Sequence, residues 1–174
     1  MLFEITIYCR GGQGGVTTAR LIATAAMLKG LYAQAMPQFG PERRGATVNA
    51  YLRISDGPIR RRSSIRDPQG IAVFDKKINL NLCSPYLKLG IINSPAPVKI
   101  AEKTFYLDAT RIAENHELVY ADWAILSAPM SGAMAKALEI ELSYLEEAIY
   151  TELGEKADKS FEAAKEAYEV VRWT

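Results

Sequence analysis

The chain has 174 residues, 49% hydrophobic and 24% charged, which suits one globular domain able to bury its own core. Two cysteines, Cys9 and Cys83, exclude an iron–sulfur cluster or a Cys₄ zinc site held by this chain alone, and a single histidine, His116, excludes a multi-histidine metal site. The net charge of +1 hides a split: residues 1–87 hold 12 Lys and Arg against 5 Asp and Glu, and residues 88–174 hold 9 against 15. Seven of the eleven arginines fall between Arg43 and Arg66, which points to an anionic ligand or partner on the N-terminal half.

Phe3–Cys9 reads as a strand running straight into glycines. Val16–Lys29 carries helical spacing, and Gly30 follows as its C′ glycine. A short strand over Tyr32–Met36 stops at Pro37, and Gln38–Gly45 is a loop by composition. Thr47–Ile54 alternates, with Val48, Ala50, Leu52 and Ile54 on one face and Thr47, Asn49, Tyr51 and Arg53 on the other. Ser55–Pro58 is a turn.

Ile71–Phe74, Gly90–Ile92 and Phe105–Leu107 read as short buried strands. Helical patterns cover Asp75–Leu82, Asp108–Asn115 and Asp122–Leu138. A capping box at Ser143–Glu146 opens a helix that ends at Gly154, and Phe161, Ala164, Tyr168 and Val171 mark a last helix. Strands separated by helices predict an α/β fold: a three-layer Rossmann-like architecture with a mostly parallel central sheet, as a single domain over 1–174. No run is apolar enough to span a membrane, and the first residues lack a signal peptide's basic n-region, so a cytoplasmic protein is expected.

Gly11, Gly12, Gln13, Gly14, Gly15, Val16, Thr17 and Thr18 lie between the first strand and the first helix, where an α/β fold places its ligand. Glycines admit close backbone approach, and free N–H groups of the first turn point at an anion. The threonine hydroxyls add donors. A dinucleotide fingerprint fits badly, because its third glycine falls on Thr17 and no acid occurs between Glu4 and Glu42. A P-loop is excluded because no lysine precedes Lys29. The bland alternative is a tight strand-to-helix turn without a ligand.

Arg43 and Arg44 sit in a loop shaped by Gly40, Pro41 and Gly45, and their planar forks suit phosphate; an internal salt bridge for one of them is the alternative. Arg60, Arg61, Arg62 and Arg66 read as a solvated face, a subunit interface or an outer phosphate contact; no nucleic-acid motif accompanies them. Cys9, Cys83, His116, Trp123 and Trp173 read as structural, and no Ser-His-Asp set, Cys-His set or carboxylate pair is evident. Neither a catalytic nor a metal-binding residue is assigned.

Gly11–Ala19, Pro37–Gly45, Arg53–Asp56, Pro58-Ile59, Asp67-Pro68, Val73–Asp75 and Leu107–Thr110 together resemble the gamma subunit of 2-oxoacid:ferredoxin (acceptor) oxidoreductases over nearly the whole chain. The resemblance implies a non-catalytic subunit of an enzyme that decarboxylates a 2-oxoacid, such as pyruvate, to an acyl-CoA. Thiamine diphosphate with Mg and [4Fe–4S] clusters would sit in the partner subunits (alpha, beta and, where present, a delta or ferredoxin-like subunit), and ferredoxin or another acceptor would take the electrons. In fused relatives a Ser-Asp-Gly-Thr loop and a Lys-Lys pair hold coenzyme A; carried over, Gly12–Gly15 and Arg43/Arg44 would do so here. The family's Asn-Thr-x-Met-Leu-Gly-Ala stretch is Ser127–Ala133 in this chain, so Ser127 replaces the asparagine. A free-standing nucleotide- or CoA-binding regulatory or structural module is the alternative.

Overall fold

The structure, a computed structural model, describes residues 1–38, 45–78 and 87–174. Among the described residues, nine strands and five α-helices follow in the order β1 (Leu2–Arg10), α1 (Gly15–Leu28), β2 (Tyr32–Pro37), β3 (Thr47–Ser55), β4 (Gly70–Val73), β5 (Leu89–Asn93), β6 (Lys103–Leu107) and α2 (Ala109–Asn115). Then come β7 (Val119–Tyr120), β8 (Trp123–Ala124), α3 (Ser127–Ala137), α4 (Leu142–Leu153), α5 (Ala157–Val170) and β9 (Arg172–Trp173).

Seven strands form one sheet, ordered β2-β3-β1-β4-β5-β6-β9. β1, β4, β5 and β6 are mutually parallel; β3 runs against β1 and β2, and β9 against β6. The sheet is therefore mostly parallel in direction, as the strand–helix alternation predicts. The chain builds to one side of β1 through β2 and β3, then to the other through β4, β5 and β6. That reversal sets a topological switch point between β1 and β4.

Period-2 alternation sorts the strand residues between two faces. Ile5, Ile7, Leu52, Phe74, Ile91 and Phe105 join a single core with the buried faces of all five helices. Burying each such side chain contributes roughly 1.5–3 kcal/mol. The opposite face carries a smaller cluster of Ile71, Val73, Leu87 and Ile92, covered by Val98, Ile100 and Ala101 of the β5–β6 connection. Among the described residues the third layer is thus made of connections, not helices.

α1 begins without a side-chain cap, Gly14 turning into it at φ 92. Gly30, at φ 95, closes it, with its N–H and that of Leu31 returning to Met27 and Ala26 carbonyls. Three expectations change. The predicted helix over Asp122–Leu138 begins only at Ser127, because Ala121 (φ 47) and Asp122 (φ 65) make a tight turn between β7 and β8. α4 begins at Leu142 with Glu141 as N-cap and no side-chain cap bond, so the Ser143 capping box does not form. Asp75–Ile78 is a turn where the predicted Asp75–Leu82 helix begins; the rest of that pattern lies outside the described residues.

Arg53, placed by alternation on the polar face, is 1% exposed. Its Nε donates to Glu4 Oε1 at 2.7 Å, Nη1 to Gln34 Oε1 at 3.0 Å and Nη2 to the Ser63 carbonyl at 2.7 Å. This arginine is an internal brace.

Candidate functional site

A cleft of about 720 Å³ opens at the carboxyl end of β1, within the size range of small-molecule sites. The glycine loop and the first turn of α1 form its floor. Pro37 and Val48 come from the ends of β2 and β3, and Tyr120 and Ile125 from the β7–β8 hairpin and its exit.

Two helix N-termini meet here. α1 starts at Gly15 with no acid in its first turn; its first N–H groups have no intrahelical acceptor, and Val16 and Thr17, which carry two of them, line the cleft. α3 starts at Ser127, which also lines the cleft. A Cβ added to Gly14 would stand 2.8 Å from Ser127 Cβ, so only glycine allows the two ends this close. The Leu126 N–H donates to the Gln13 carbonyl at 2.9 Å and fastens the junction. Aligned peptide dipoles place partial positive charge at both ends.

Arg10 adds a guanidinium that is ion-paired with Asp75. Its Nε donates to Asp75 Oδ2 at 2.7 Å and its Nη1 to the Gly45 carbonyl at 3.1 Å. A guanidinium has five N–H donors, so these two bonds do not use them all, and Arg10 is among the residues that line the cleft. Asp75 also accepts from the Lys77 N–H at 2.8 Å. Burial pushes its carboxyl up, but the Lys77 N–H and the Arg10 guanidinium more than offset this and hold it below the ordinary carboxylate range. The Arg10–Asp75 pair bridges the ends of β1 and β4, across the switch point. Gly11 and Ala46 are bonded N–H to carbonyl at 2.8 Å, and the Gly45 N–H returns to the Gly11 carbonyl at 3.2 Å. Gly45 and Ala46 are therefore tied to the glycine loop; Arg43 and Arg44 lie outside the described residues.

The predicted site residues divide. Gly11, Gly12, Gly14, Gly15, Val16 and Thr17 line the cleft. Gln13 does not: it is 8% exposed, and its side chain accepts from the Arg10 N–H at 2.7 Å, shaping the turn from beneath. Thr18 is fully buried, and its hydroxyl lies 3.0 Å from the Gly14 carbonyl and 3.2 Å from the Ser127 carbonyl. A side chain three residues into a helix points back along the previous turn, here into the α1–α3 junction. Thr18 latches the two helices and adds no donor to the cleft.

Cys9 lies at the cleft's edge, but burial pushes its thiol up to about 11, against a smaller opposing effect of the Gly15 N–H, and its Sγ donates to the Val48 carbonyl at 3.4 Å. It stays protonated near neutrality. His116 lies away from the cleft, with Nε2 2.6 Å from Glu166 Oε2. No group of three or more His, Cys, Asp or Glu side chains that could hold a metal occurs among the described residues. Sequence reasoning missed Arg10 and the hairpin residues Tyr120 and Ile125. Arg10 was visible as the residue before the first glycine, but only the fold brings Asp75 to it. The hairpin leaves no β-branched alternation to read.

The sheet, the switch point and the cleft define an α/β domain of the Rossmann-like class with its cleft at the carboxyl end of β1. Residues 4–170 match the family described as pyruvate ferredoxin/flavodoxin oxidoreductase. The chain belongs to that family, within it to the gamma subunits of the 2-oxoacid:ferredoxin oxidoreductases. It is 39% identical to the pyruvate/ketoisovalerate oxidoreductases common subunit gamma of Pyrococcus furiosus, over 97% of this chain and 96% of that protein. It is 35% identical to the pyruvate synthase subunit PorC of Methanothermobacter marburgensis, over 98% of each. Among solved structures, the pyruvate oxidoreductase subunit PORC of Thermotoga maritima superposes with TM-score 0.79 at 27% identity, covering 99% of this chain and 98% of that one. A 2-oxoglutarate:ferredoxin oxidoreductase from Magnetococcus marinus shares the fold at TM-score 0.68 and 18% identity, over 97% of this chain but 30% of that one. No helix among the described residues is long and apolar enough to cross a membrane.

Proposed function

We propose that this chain contributes to coenzyme A binding and complex assembly in a cytoplasmic, thiamine diphosphate- and Fe–S-dependent enzyme converting a 2-oxoacid such as pyruvate to an acyl-CoA. The chain acts as one domain over its 174 residues. The single observation that carries the reading is the cradle: two helix N-termini and the Asp75-held Arg10 converge on one cleft, with no acid in the first turn of α1 or α3. Coenzyme A carries a diphosphate and a 3′-phosphate, so a backbone cradle and a basic loop have separate targets. The solved 2-oxoglutarate:ferredoxin oxidoreductase that shares this fold has coenzyme A and succinyl-CoA bound, which supports the same ligand class here.

Gly11, Gly12, Gly14, Gly15, Val16 and Thr17 present backbone N–H groups to a phosphate, Arg10 adds a fixed fork, and Arg43 and Arg44 supply further cations. Gln13 and Thr18 hold the loop's shape. Coenzyme A supplies the thiol that receives the acyl group; this chain orients it and contributes no acid or base. Thiamine diphosphate, Mg and [4Fe–4S] clusters belong to the partner subunits (alpha, beta and, where present, a delta or ferredoxin-like subunit), which pass electrons to ferredoxin or another acceptor.

The test is steady-state kinetics of the assembled enzyme carrying Arg43→Ala with Arg44→Ala. A charge-assisted hydrogen bond is worth about 1.5–3 kcal/mol, so the KM for coenzyme A should rise at least tenfold while the KM for 2-oxoacid holds. An unchanged KM for coenzyme A removes these arginines from the site. The same assay on Arg10→Ala tests the cradle separately.

A further inference from the structure

The connection from β3 to β4 carries Arg60, Arg61, Arg62 and Arg66, all exposed. No carboxylate among the described residues pairs with Arg60, Arg62 or Arg66. Arg61 lies 3.9 Å from Glu4 Oε2, but Glu4 is already engaged through its other oxygen by Arg53.

Two features separate this segment from a solvated loop. The first is its anchoring. Arg53 Nη2 holds the Ser63 carbonyl at 2.7 Å, and Ile65 is inserted to 7% exposure. A buried ion pair is by itself a weak source of stability. Here it fixes the backbone from which the arginines project. The second is composition. Every cation between Pro58 and Gln69 is arginine, although the chain holds nearly as many lysines as arginines overall. Protein interfaces enrich arginine and deplete lysine, because the fork pairs bidentately with carboxylates and is more weakly hydrated.

Position rules out a role in the cleft. Ser55 pairs with Leu2, and the Gln69 N–H donates to the Glu4 carbonyl, so the segment lies at the amino end of β1. The cradle begins at Arg10, about 20 Å further along the strand at roughly 3.3 Å per residue. Between the arginines a hollow of about 380 Å³, lined by Arg61, Ser63, Arg66 and Asp67 among others, offers a recess.

We infer that this arginine segment is a docking surface for an acidic, Asp/Glu-bearing patch on a partner subunit of the same enzyme. The inference rests on membership in a multi-subunit oxidoreductase and not on the coenzyme A reading.

The experiment compares the co-purified enzyme with a variant carrying Arg60→Glu, Arg62→Glu and Arg66→Glu. Retention of this subunit on size exclusion is followed as salt rises from roughly 0.05 to 0.5 M, a range over which the screening length falls severalfold. The variant should leave the complex at lower salt, with an apparent Kd raised at least about tenfold. Triple Arg→Lys substitution should weaken retention partially, since lysine keeps the charge and loses the fork. The thermal midpoint of the isolated variant should match wild type, which excludes misfolding, and the KM for coenzyme A of still-assembled variant enzyme should not change. Equal retention at every salt concentration would overturn the inference. So would loss only of self-association of the isolated chain, or of co-purifying nucleic acid, with assembly intact. A raised KM for coenzyme A in the assembled charge-reversal variant would also overturn it, by placing the segment at the ligand. Failure of the Arg43/Arg44 test would leave this one standing.

Discussion

Gly14→Ala tests the junction on which the cradle depends. Two costs are separable. Gly14 has φ 92, a left-handed conformation that costs an L-residue about 1–2 kcal/mol. The new Cβ would also stand 2.8 Å from Ser127 Cβ, within a junction closed by the Leu126–Gln13 hydrogen bond, and overpacking of this kind costs about 1–3 kcal/mol. Alanine's smaller unfolded-state entropy returns roughly 0.4–1 kcal/mol, leaving a net loss of about 2–4 kcal/mol. Gly30 and Gly57 are internal controls. Gly30 shares the positive φ, at 95, but a Cβ there meets nothing within 4 Å; Gly57 has neither positive φ nor a near neighbour. Thermal or denaturant unfolding of the three alanine variants should rank Gly57 near wild type, Gly30 about 1 kcal/mol lower and Gly14 lowest. A Gly14 loss of that size corresponds to a fall of roughly 5–15 °C in Tm. In the assembled enzyme the same change should raise the KM for coenzyme A, because it forces the N-termini of α1 and α3 apart. If Gly14→Ala costs no more than Gly30→Ala, the close approach of the two helix ends is wrong and the cradle argument goes with it.

Removing the buried cation by Arg53→Leu should destabilise the chain by about 3–5 kcal/mol in denaturant unfolding, since buried Glu4 then keeps only the 3.9 Å contact to the exposed Arg61; Glu4→Gln with Arg53→Met should cost less than Arg53→Leu alone. Cys9, whose thiol is raised to about 11, should resist iodoacetamide at pH 8 in the native chain and react on unfolding, as read by peptide mass mapping. Rapid native labelling at Cys9 would contradict its burial. The lowered Asp75 carboxyl stabilises the fold at pH above its unfolded value of about 3.9, and that contribution is lost as pH falls through the still lower folded value. The Tm difference between wild type and Asp75→Asn should accordingly shrink below about pH 4, and a difference independent of pH would remove the Arg10–Asp75 tie from the account.

Much of the scaffold was legible because local rules and tertiary context agree. β1 and α1 carry unambiguous periods and are punctuated by glycines with a stated conformational task, and Gly30 is found in the left-handed turn that its position implies. The hairpin over Val119–Ala124 was not legible. Its turn residues, Ala121 and Asp122, take positive φ that nothing in their local pattern announces, and Asp122 looked like a helix start instead. The Ser143 capping box failed because the chain enters α4 two residues earlier, with Glu141 extended at the N-cap position.

The sequence alone determined a strand–glycine–helix unit free of nearby acids, a poverty of metal and acid–base ligands, and a basic N-terminal half. These follow from residue type and spacing, which short-range backbone geometry reads directly. Tertiary structure decided how the charges divide. Arg10 reaches the cleft because β1 and β4 are adjacent and carry Asp75 to it. Arg53 turns inward because Glu4, Gln34 and Ser63 surround its place on β3. Arg60–Arg66 fall at the far end of the sheet from the cradle. Thr18, adjacent in sequence to Thr17, faces the helix junction instead of the cleft. Such assignments depend on contacts between residues distant in sequence, and no local pattern encodes which of several like charges will find a partner, a ligand or another subunit.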